Sequence, residues 1–218
     1  MYTKGVKPII PNFEIETGLL KQYSIIAGVD EVGRGSIAGP IVAAAVVFKK
    51  YDRIIDKLSE VNDSKKLTPL KRFELDRVIR NNASDLGIGV VEADEIDRIG
   101  IGAANILAFK KAIDGLKKCD LALIDGRQFH GFEYQFHCIE KGESKSISVA
   151  AASIIAKVYR DNIMEDIHEE IFRYDFASNK GYGSKHHFEA IEKYGLSHYH
   201  RKTFLKKVED EIKQIKLF

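Results

Sequence analysis

The sequence predicts an α/β fold, in which buried strands closed by acidic residues alternate with helices, and three observations carry that expectation. Short apolar runs stop abruptly at a carboxylate and a turn residue, first at Ile25-Ile26-Ala27-Gly28-Val29-Asp30-Glu31 and again at Leu121-Ala122-Leu123-Ile124-Asp125-Gly126. Runs bounded in this way read as strands. Ile41 to Phe48 is apolar throughout and β-branched at Ile41, Val42, Val46 and Val47, the pattern of a strand covered on both faces. Between the runs lie stretches of helical spacing, notably Ala103 to Leu116 and a long segment from about Ser146. In sheets with helical crossovers, functional groups gather at the carboxyl ends of the strands. Asp125 is therefore expected beside Asp30 and Glu31.

In chain order, residues 1–20 contain Pro8 and Pro11 with little periodicity and read as a loosely packed lead-in. The first strand is Ser24 to Asp30. Neighbouring strand residues point to opposite faces, so Asp30 and Glu31 can serve one site only where the strand loses regularity, and Gly33-Arg34-Gly35 is expected to supply that break. This turn is no nucleotide-cofactor loop: its glycine spacing is wrong, and Pro40 leads into another strand rather than a helix. Thr68 and Pro69 form a helix start, cap residue then proline, for a helix to about Asn81. Ser64, Lys65 and Lys66 precede it, where helix amides favour an anion, although lysines there are commonly solvated.

Leu86 to Val91 is the next strand, Ala103 to Leu116 an amphipathic helix, and Phe132 to Ile139 a later strand. The long helix carries one stripe at Ile147, Ala151, Ile154 and Val158 and a second, out of register, at Ile163, Ile167 and Ile171. It is expected to kink near Arg160 to Asn162 or to bury different sides along its length. Ala150, Ser153 and Lys157 share a face that would admit a nucleic-acid backbone. Asn179 to Ser184 is a glycine-flanked loop presenting Tyr182; a short helix follows to about Tyr194, and a basic helix from Thr203 to Ile215. His186, His187, His198 and His200 lack zinc spacing and read as surface or phosphate-facing groups.

A chain of 218 residues suits one core, with residues 1–218 forming a single domain. The net charge of +2 conceals an asymmetry, because residues 180–218 hold nine Lys or Arg against five Asp or Glu. A basic flank beside an acidic centre suits a protein that grips a polyanion while holding metal ions. No apolar run is long enough for a membrane span, and the start lacks an export signal. Cys119 and Cys138 lie far apart without metal spacing, which suits a reduced, cytoplasmic protein.

Acids at strand ends, with Glu143 ahead of the long helix, match a two-metal phosphoryl-transfer site. Two Mg²⁺ or Mn²⁺ ions about 4 Å apart clamp the attacking and leaving oxygens of a phosphodiester, and hard cations take oxygen ligands. A binding module whose acids are structural, or a different metal-dependent nuclease, are the competing readings.

The ordered motifs are more specific than any one of them. Val29-Asp30-Glu31-Val32-Gly33-Arg34-Gly35 with Ala38-Gly39-Pro40 is followed by Asp63-Ser64-Lys65 and Ile124-Asp125-Gly126. Then come Lys141-Gly142-Glu143-Ser144-Lys145-Ser146, Ala150 to Lys157, Gly181-Tyr182-Gly183 and His200-Arg201. Over residues 24 to about 205 this resembles the bacterial type-2 ribonucleases H, the ribonuclease HII family. The resemblance implies a ribonuclease H-like three-layer α/β fold with a mixed five-stranded sheet. Residues 24–175 would form the catalytic core and 176–218 a helical basic C-terminal part.

It further implies a monomeric endonuclease that cuts the RNA strand of RNA–DNA hybrids and nicks duplex DNA 5′ of embedded ribonucleotides. By motif, Asp30, Glu31, Asp125 and Glu143 would be catalytic metal ligands for two Mn²⁺ or Mg²⁺ ions, with Asp30 bridging. Gly33, Arg34 and Gly35 would read the 2′-hydroxyl, Ser64, Lys65, Ser153 and Lys157 would contact the substrate, and Tyr182 would pack on the neighbouring sugar. The family pattern usually has aspartate where Glu143 stands, so a shift toward Mn²⁺ is expected; Asp161 is the reserve ligand. Type-3 relatives also use a fourth glutamate, but they lack the arginine between the glycines, and Arg34 is present.

Overall fold

The computed structural model describes residues 10–206. The elements are α1 (Glu14–Leu19), β1 (Ile26–Val32), β2 (Ile41–Val47), α2 (Tyr51–Ile54), α3 (Pro69–Asn82), β3 (Asp85–Val91), α4 (Ala93–Ile99), α5 (Ile101–Asp114), β4 (Leu121–Asp125), β5 (Phe136–Ile139), α6 (Ile147–Glu170), α7 (Phe176–Asn179) and α8 (Lys185–Tyr194). The strands form one mixed sheet in the order β3-β2-β1-β4-β5. All seven residues of β2 are buried, as its β-branched run predicts.

The chain groups into two compact units. One comprises the residues up to Asp30, Ala45–Leu86 and Leu116–Ile155; the other comprises Glu31–Ala44, Gly87–Gly115 and the residues from Ala156 on. Among the described residues no helix is long and apolar enough to cross a membrane.

In the first unit, β1 pairs with β4 and β4 with β5, both parallel, with Ile26 opposite Leu121 and Val29 opposite Ile124. Ile26, Leu121, Leu123 and Val149 make a core cluster against which Ile15, Leu19, Tyr23 and Ile139 pack. Gly28 sets how closely α6 lies on β1, because a Cβ there would stand 2.1 Å from the Ser148 carbonyl carbon. Thr68 accepts from the Lys71 amide to start α3, with Pro69 in its first turn.

The lead-in is better packed than expected from residue 10 onward. Phe13 stacks on Tyr51, ring centres 4.5 Å apart. Glu16 is fully buried, and its carboxylate accepts from the Ser146 hydroxyl at 2.6 Å and the Ser148 amide at 3.2 Å. A carboxylate beside the first amides of α6 is favoured by the helix dipole. Residues 1–9 lie outside the described part.

In the second unit, Ala38, Met164, Ile167, Tyr174, Phe176, Ile191 and Leu205 form the core cluster. Asp97 of α4 accepts from the amides of Lys202 and Thr203 at 2.8 and 3.0 Å, anchoring the segment where residues 202–206 are helical. The remainder of the basic helix expected to Ile215 lies outside the described residues.

Two expectations about elements need correction, and of the two outcomes left open for the long helix the second holds. α6 is one unbroken helix of 24 residues. Ile147 to Ala156 is buried on every side, after which only the Arg160, Met164 and Ile167 side stays covered, so the out-of-register stripes record a change of buried side. β5 begins at Phe136, not Phe132, because Phe129, Phe132 and Phe136 pack on one another instead, Phe129 and Phe136 with ring centres 4.7 Å apart. β1 continues through Val32 rather than ending at Asp30, although its pairing with β4 runs only as far as Val29 and Ile124.

Candidate active site

In the first unit a carboxylate follows the paired stretch of β1 and another that of β4. Their parallel register stops, as paired, at Val29 and Ile124. Asp30 and Asp125 are the next residues on these two neighbouring strands. Asp30 is 8% exposed, a low value for a carboxylate.

Beyond Asp125 the chain turns at Gly126 (φ +117°) and returns through β5 to the tight turn Gly142–Ser144. The Gly142 amide donates to Asp125 Oδ1 at 2.7 Å. A side chain at Gly142 would press on Val149 Cγ1 at 3.1 Å and on Asp125 Oδ1 itself. Glycine here brings the turn, and with it Glu143, against Asp125.

Glu143 carries the clearest sign of unmet charge. Burial pushes its carboxyl above the usual range, and the neighbouring Asp125 and Asp63 carboxylates push it further. Its Oε2 is buried and accepts no hydrogen bond. Asp63 holds the preceding turn, accepting from the Lys65 amide at 2.9 Å. Its part in the acidic field was not read from the sequence, although Asp63-Ser64-Lys65 stood out as a motif. Ser64 and Ser153 share a hydrogen bond of 2.8 Å between hydroxyls, Ala150 is fully buried, and Lys65 is exposed.

Among the described residues no three His, Cys, Asp or Glu side chains stand as a ready metal cage. The donor set nevertheless fits a hard divalent cation. Its groups are carboxylate oxygens, one of them orphaned, and closely placed acids of one sign need a positive partner.

The second unit holds the turn after β1 and the Tyr182 loop. Arg34 Nη1 lies 4.0 Å from Glu31 Oε1. Gly33 has φ +88°, and a Cβ there would strike Arg160 Nε at 2.2 Å. Two fully buried arginines splint the following segment through carbonyl oxygens. Arg160 donates to Pro40, Lys180 and Ala38 at 2.8, 2.8 and 3.1 Å. Arg201 donates to Gly39 twice, at 3.0 and 2.9 Å, and to Arg34 at 3.2 Å. Burial lowers both guanidinium pKa values, that of Arg201 to about 9.

Neither arginine was singled out for this scaffold role, though Arg201 belonged to a quoted motif. Tyr182 is 41% exposed, its ring 5.6 Å from Arg160 Cζ. Lys157 and Asp161 pair at 2.5 Å. His187 and His200, expected at the surface, are fully buried. They lie between Tyr174 and Phe176, where imidazoles fill ring-sized space in an aromatic core. The sequence could not show this, because the two residues meet only through the fold.

The sequence profile of the family described as Ribonuclease HII matches residues 27–207. The chain is 52% identical over 197 residues to a Ribonuclease HII of Clostridioides difficile, an alignment covering 90% of this chain and 75% of the relative. With that of Caldanaerobacter subterraneus the identity is 48% over 186 residues, 85% of this chain and 76% of the relative.

Among solved structures, the ribonuclease H2 of Pyrococcus horikoshii superimposes with a TM-score of 0.72 at 27% identity, covering 87% of this chain and 99% of its own. The ribonuclease HII solved with PCNA from Archaeoglobus fulgidus gives 0.70 at 25%, covering 83% and 94%. A ribonuclease HIII solved with Mn²⁺ shares the fold at 22% identity and a TM-score of 0.64, covering 86% and 64%. On the profile match and these identities the chain belongs to the ribonuclease HII family of ribonuclease H endonucleases.

Proposed function

We propose that the chain hydrolyses the RNA strand of RNA–DNA hybrids and nicks duplex DNA on the 5′ side of an embedded ribonucleotide. The products would carry 3′-hydroxyl and 5′-phosphate ends, and the nick would begin removal of ribonucleotides from DNA. The observation that supports this most directly is the orphaned, buried Oε2 of Glu143 in a field set by Asp125 and Asp63. Ionising acids placed so closely out of water is costly, and a bound cation would relieve that cost.

In this reading Asp30, Glu31, Asp125 and Glu143 hold two Mn²⁺ or Mg²⁺ ions, which when bound activate water and stabilise charge on the phosphate oxygens. The Gly142 amide orients Asp125 by occupying one carboxylate oxygen. Gly33, Arg34 and Gly35 read the ribose 2′-hydroxyl, the group separating RNA from DNA. Gly35 supports this, because it is exposed, a Cβ there would meet nothing within 4 Å, and its φ is not in the left-handed region. The fold itself asks for no glycine at that position, whereas a closely approaching sugar would. Ser64, Lys65, Ser153 and Lys157 contact the backbone phosphates, and Tyr182 packs on the sugar 3′ of the ribonucleotide. The enzyme acts as a cytoplasmic monomer.

A labelled duplex with one ribonucleotide, incubated with Mg²⁺ or Mn²⁺ and mapped at nucleotide resolution, tests the reading. One cut is expected 5′ of the ribonucleotide, and an all-DNA control stays intact. Asp125→Asn is expected to lower the rate on the order of a thousandfold while duplex binding survives. Unimpaired cleavage by that variant would leave a reading in which the acids are structural.

A further inference from the structure

We propose that His187 and His200 are positioning residues for Tyr182, forming a directed hydrogen-bond relay that fixes its carbonyl and so the placement of its ring. The inference rests on the reading of Tyr182 as the sugar-packing residue, and its test separates the two.

The relay has only one self-consistent direction. The Ser197 amide donates to His200 Nδ1 at 2.9 Å, and the Ser197 hydroxyl, which accepts from the Tyr199 amide, lies 2.8 Å from the same atom with its proton free to point at it, so that nitrogen carries no proton. A neutral His200 then bears its proton on Nε2, which lies 3.1 Å from His187 Nε2. His187 must accept there, which leaves its own proton on Nδ1, 2.8 Å from the Tyr182 carbonyl oxygen. Protonating either ring would set two N–H groups against each other. Tyr174 and Phe176 wall the pair, with ring centres 4.7 Å from His200 and 5.3 Å from His187. Burial lowers both imidazole pKa values, which keeps the pair neutral.

The far end of the relay is tied to the segment that follows Gly33. The Gly181 carbonyl accepts from the amides of Ile37 and Ala38 at 2.9 and 3.1 Å, and the Ile37 carbonyl accepts from the Arg201 amide at 2.8 Å. Ala38 bridges to His200 itself. The Tyr182 carbonyl also accepts from the Ser184 amide at 2.8 Å. One network therefore sets the spacing between the loop proposed to read the ribose and the ring proposed to pack on the next sugar. Both imidazoles are buried and reach no surface, so their influence runs through Tyr182.

Two substitutions at one position separate positioning from filling space. In His187→Asn the side-chain amide nitrogen takes the place of Nδ1 and can still donate to the Tyr182 carbonyl. In His187→Gln the amide reaches the Nε2 place, and the donor to Tyr182 is lost. A role in packing alone predicts that the smaller Asn does at least as much harm. The relay predicts the reverse.

Amide hydrogen exchange over residues 182–184 should quicken about tenfold in the Gln variant and stay near wild type in the Asn variant, the size expected for one net hydrogen bond. The ratio of kcat/KM on a single-ribonucleotide duplex to that on a continuous hybrid should move toward the Tyr182→Ala value only in the Gln variant. Nitrogen-15 spectra of the wild-type protein should show the proton on His187 Nδ1 and on His200 Nε2, a readout independent of whether either variant folds. The reverse tautomers, equal exchange in the two variants, or an unshifted ratio in the Gln variant where Tyr182→Ala shifts it, each overturn the proposal. Faster exchange in the Gln variant beside an unshifted ratio in Tyr182→Ala upholds the relay and removes the sugar-packing reading instead.

Discussion

Glu143 is one methylene longer than an aspartate would be at this position, and Mg²⁺ is less tolerant of ligand geometry than larger ions. Glu143→Asp is therefore expected to lower the ratio of Mn²⁺-supported to Mg²⁺-supported cleavage, on the order of threefold, in paired initial-rate assays. An unchanged ratio would count against a metal preference set at this residue. At this scale the sequence was informative where a residue's surroundings are local. Asp30 and Asp125 each announce themselves as the carboxylate that ends an apolar run. Glu16 did not, because its partners Ser146 and Ser148 lie 130 and 132 residues away along the chain. Arg160 and Arg201 are similar cases: nothing in their neighbouring residues signals full burial against the carbonyls of a distant loop.

Elements were legible where periodicity and punctuation agree. β4 ends at Asp125 and α3 starts at Pro69 as expected. α4 went unseen because its seven residues offer too short a window for a helical period. α1 was obscured by the prolines before it, although Phe13 and Glu16 fix it. Glycines within elements give a paired test of packing. Gly102, in the first turn of α5, is exposed, with nothing within 4 Å of a Cβ, whereas Gly28 faces the backbone of Ser148. Gly102→Ala should raise the free energy of unfolding by about 0.5 kcal/mol. Gly28→Ala should lower it by several kcal/mol, on the order of the overpacking penalties seen in tight cores. Both are read from urea midpoints.

For the molecule as a whole, strand number and the α/β class followed from composition and pattern, while the grouping into two units did not. Its borders fall within β1, β2, β3 and α6, and between α5 and β4, where no linker composition marks them. Acid stability is a property at this scale. His200 titrates near 6.5 when unfolded and is held to about 3 by burial, then by its neighbour His187. The folded state refuses a proton that the unfolded state takes, so stability present above pH 6.5 is lost as pH falls toward 3. The melting temperature of wild type should exceed that of His200→Asn at pH 7.5, and the gap should narrow by pH 5 in calorimetry.

The segment from Arg34 to Pro40 is held by guanidinium groups as well as by the apolar packing of Ile37 and Ala38. Cooling slackens hydrophobic cohesion, but directional bonds from a cation to carbonyl oxygens do not depend on it. The segment should therefore keep its contour in the cold better than parts held by apolar contact alone, much as a riveted joint outlasts a glued one.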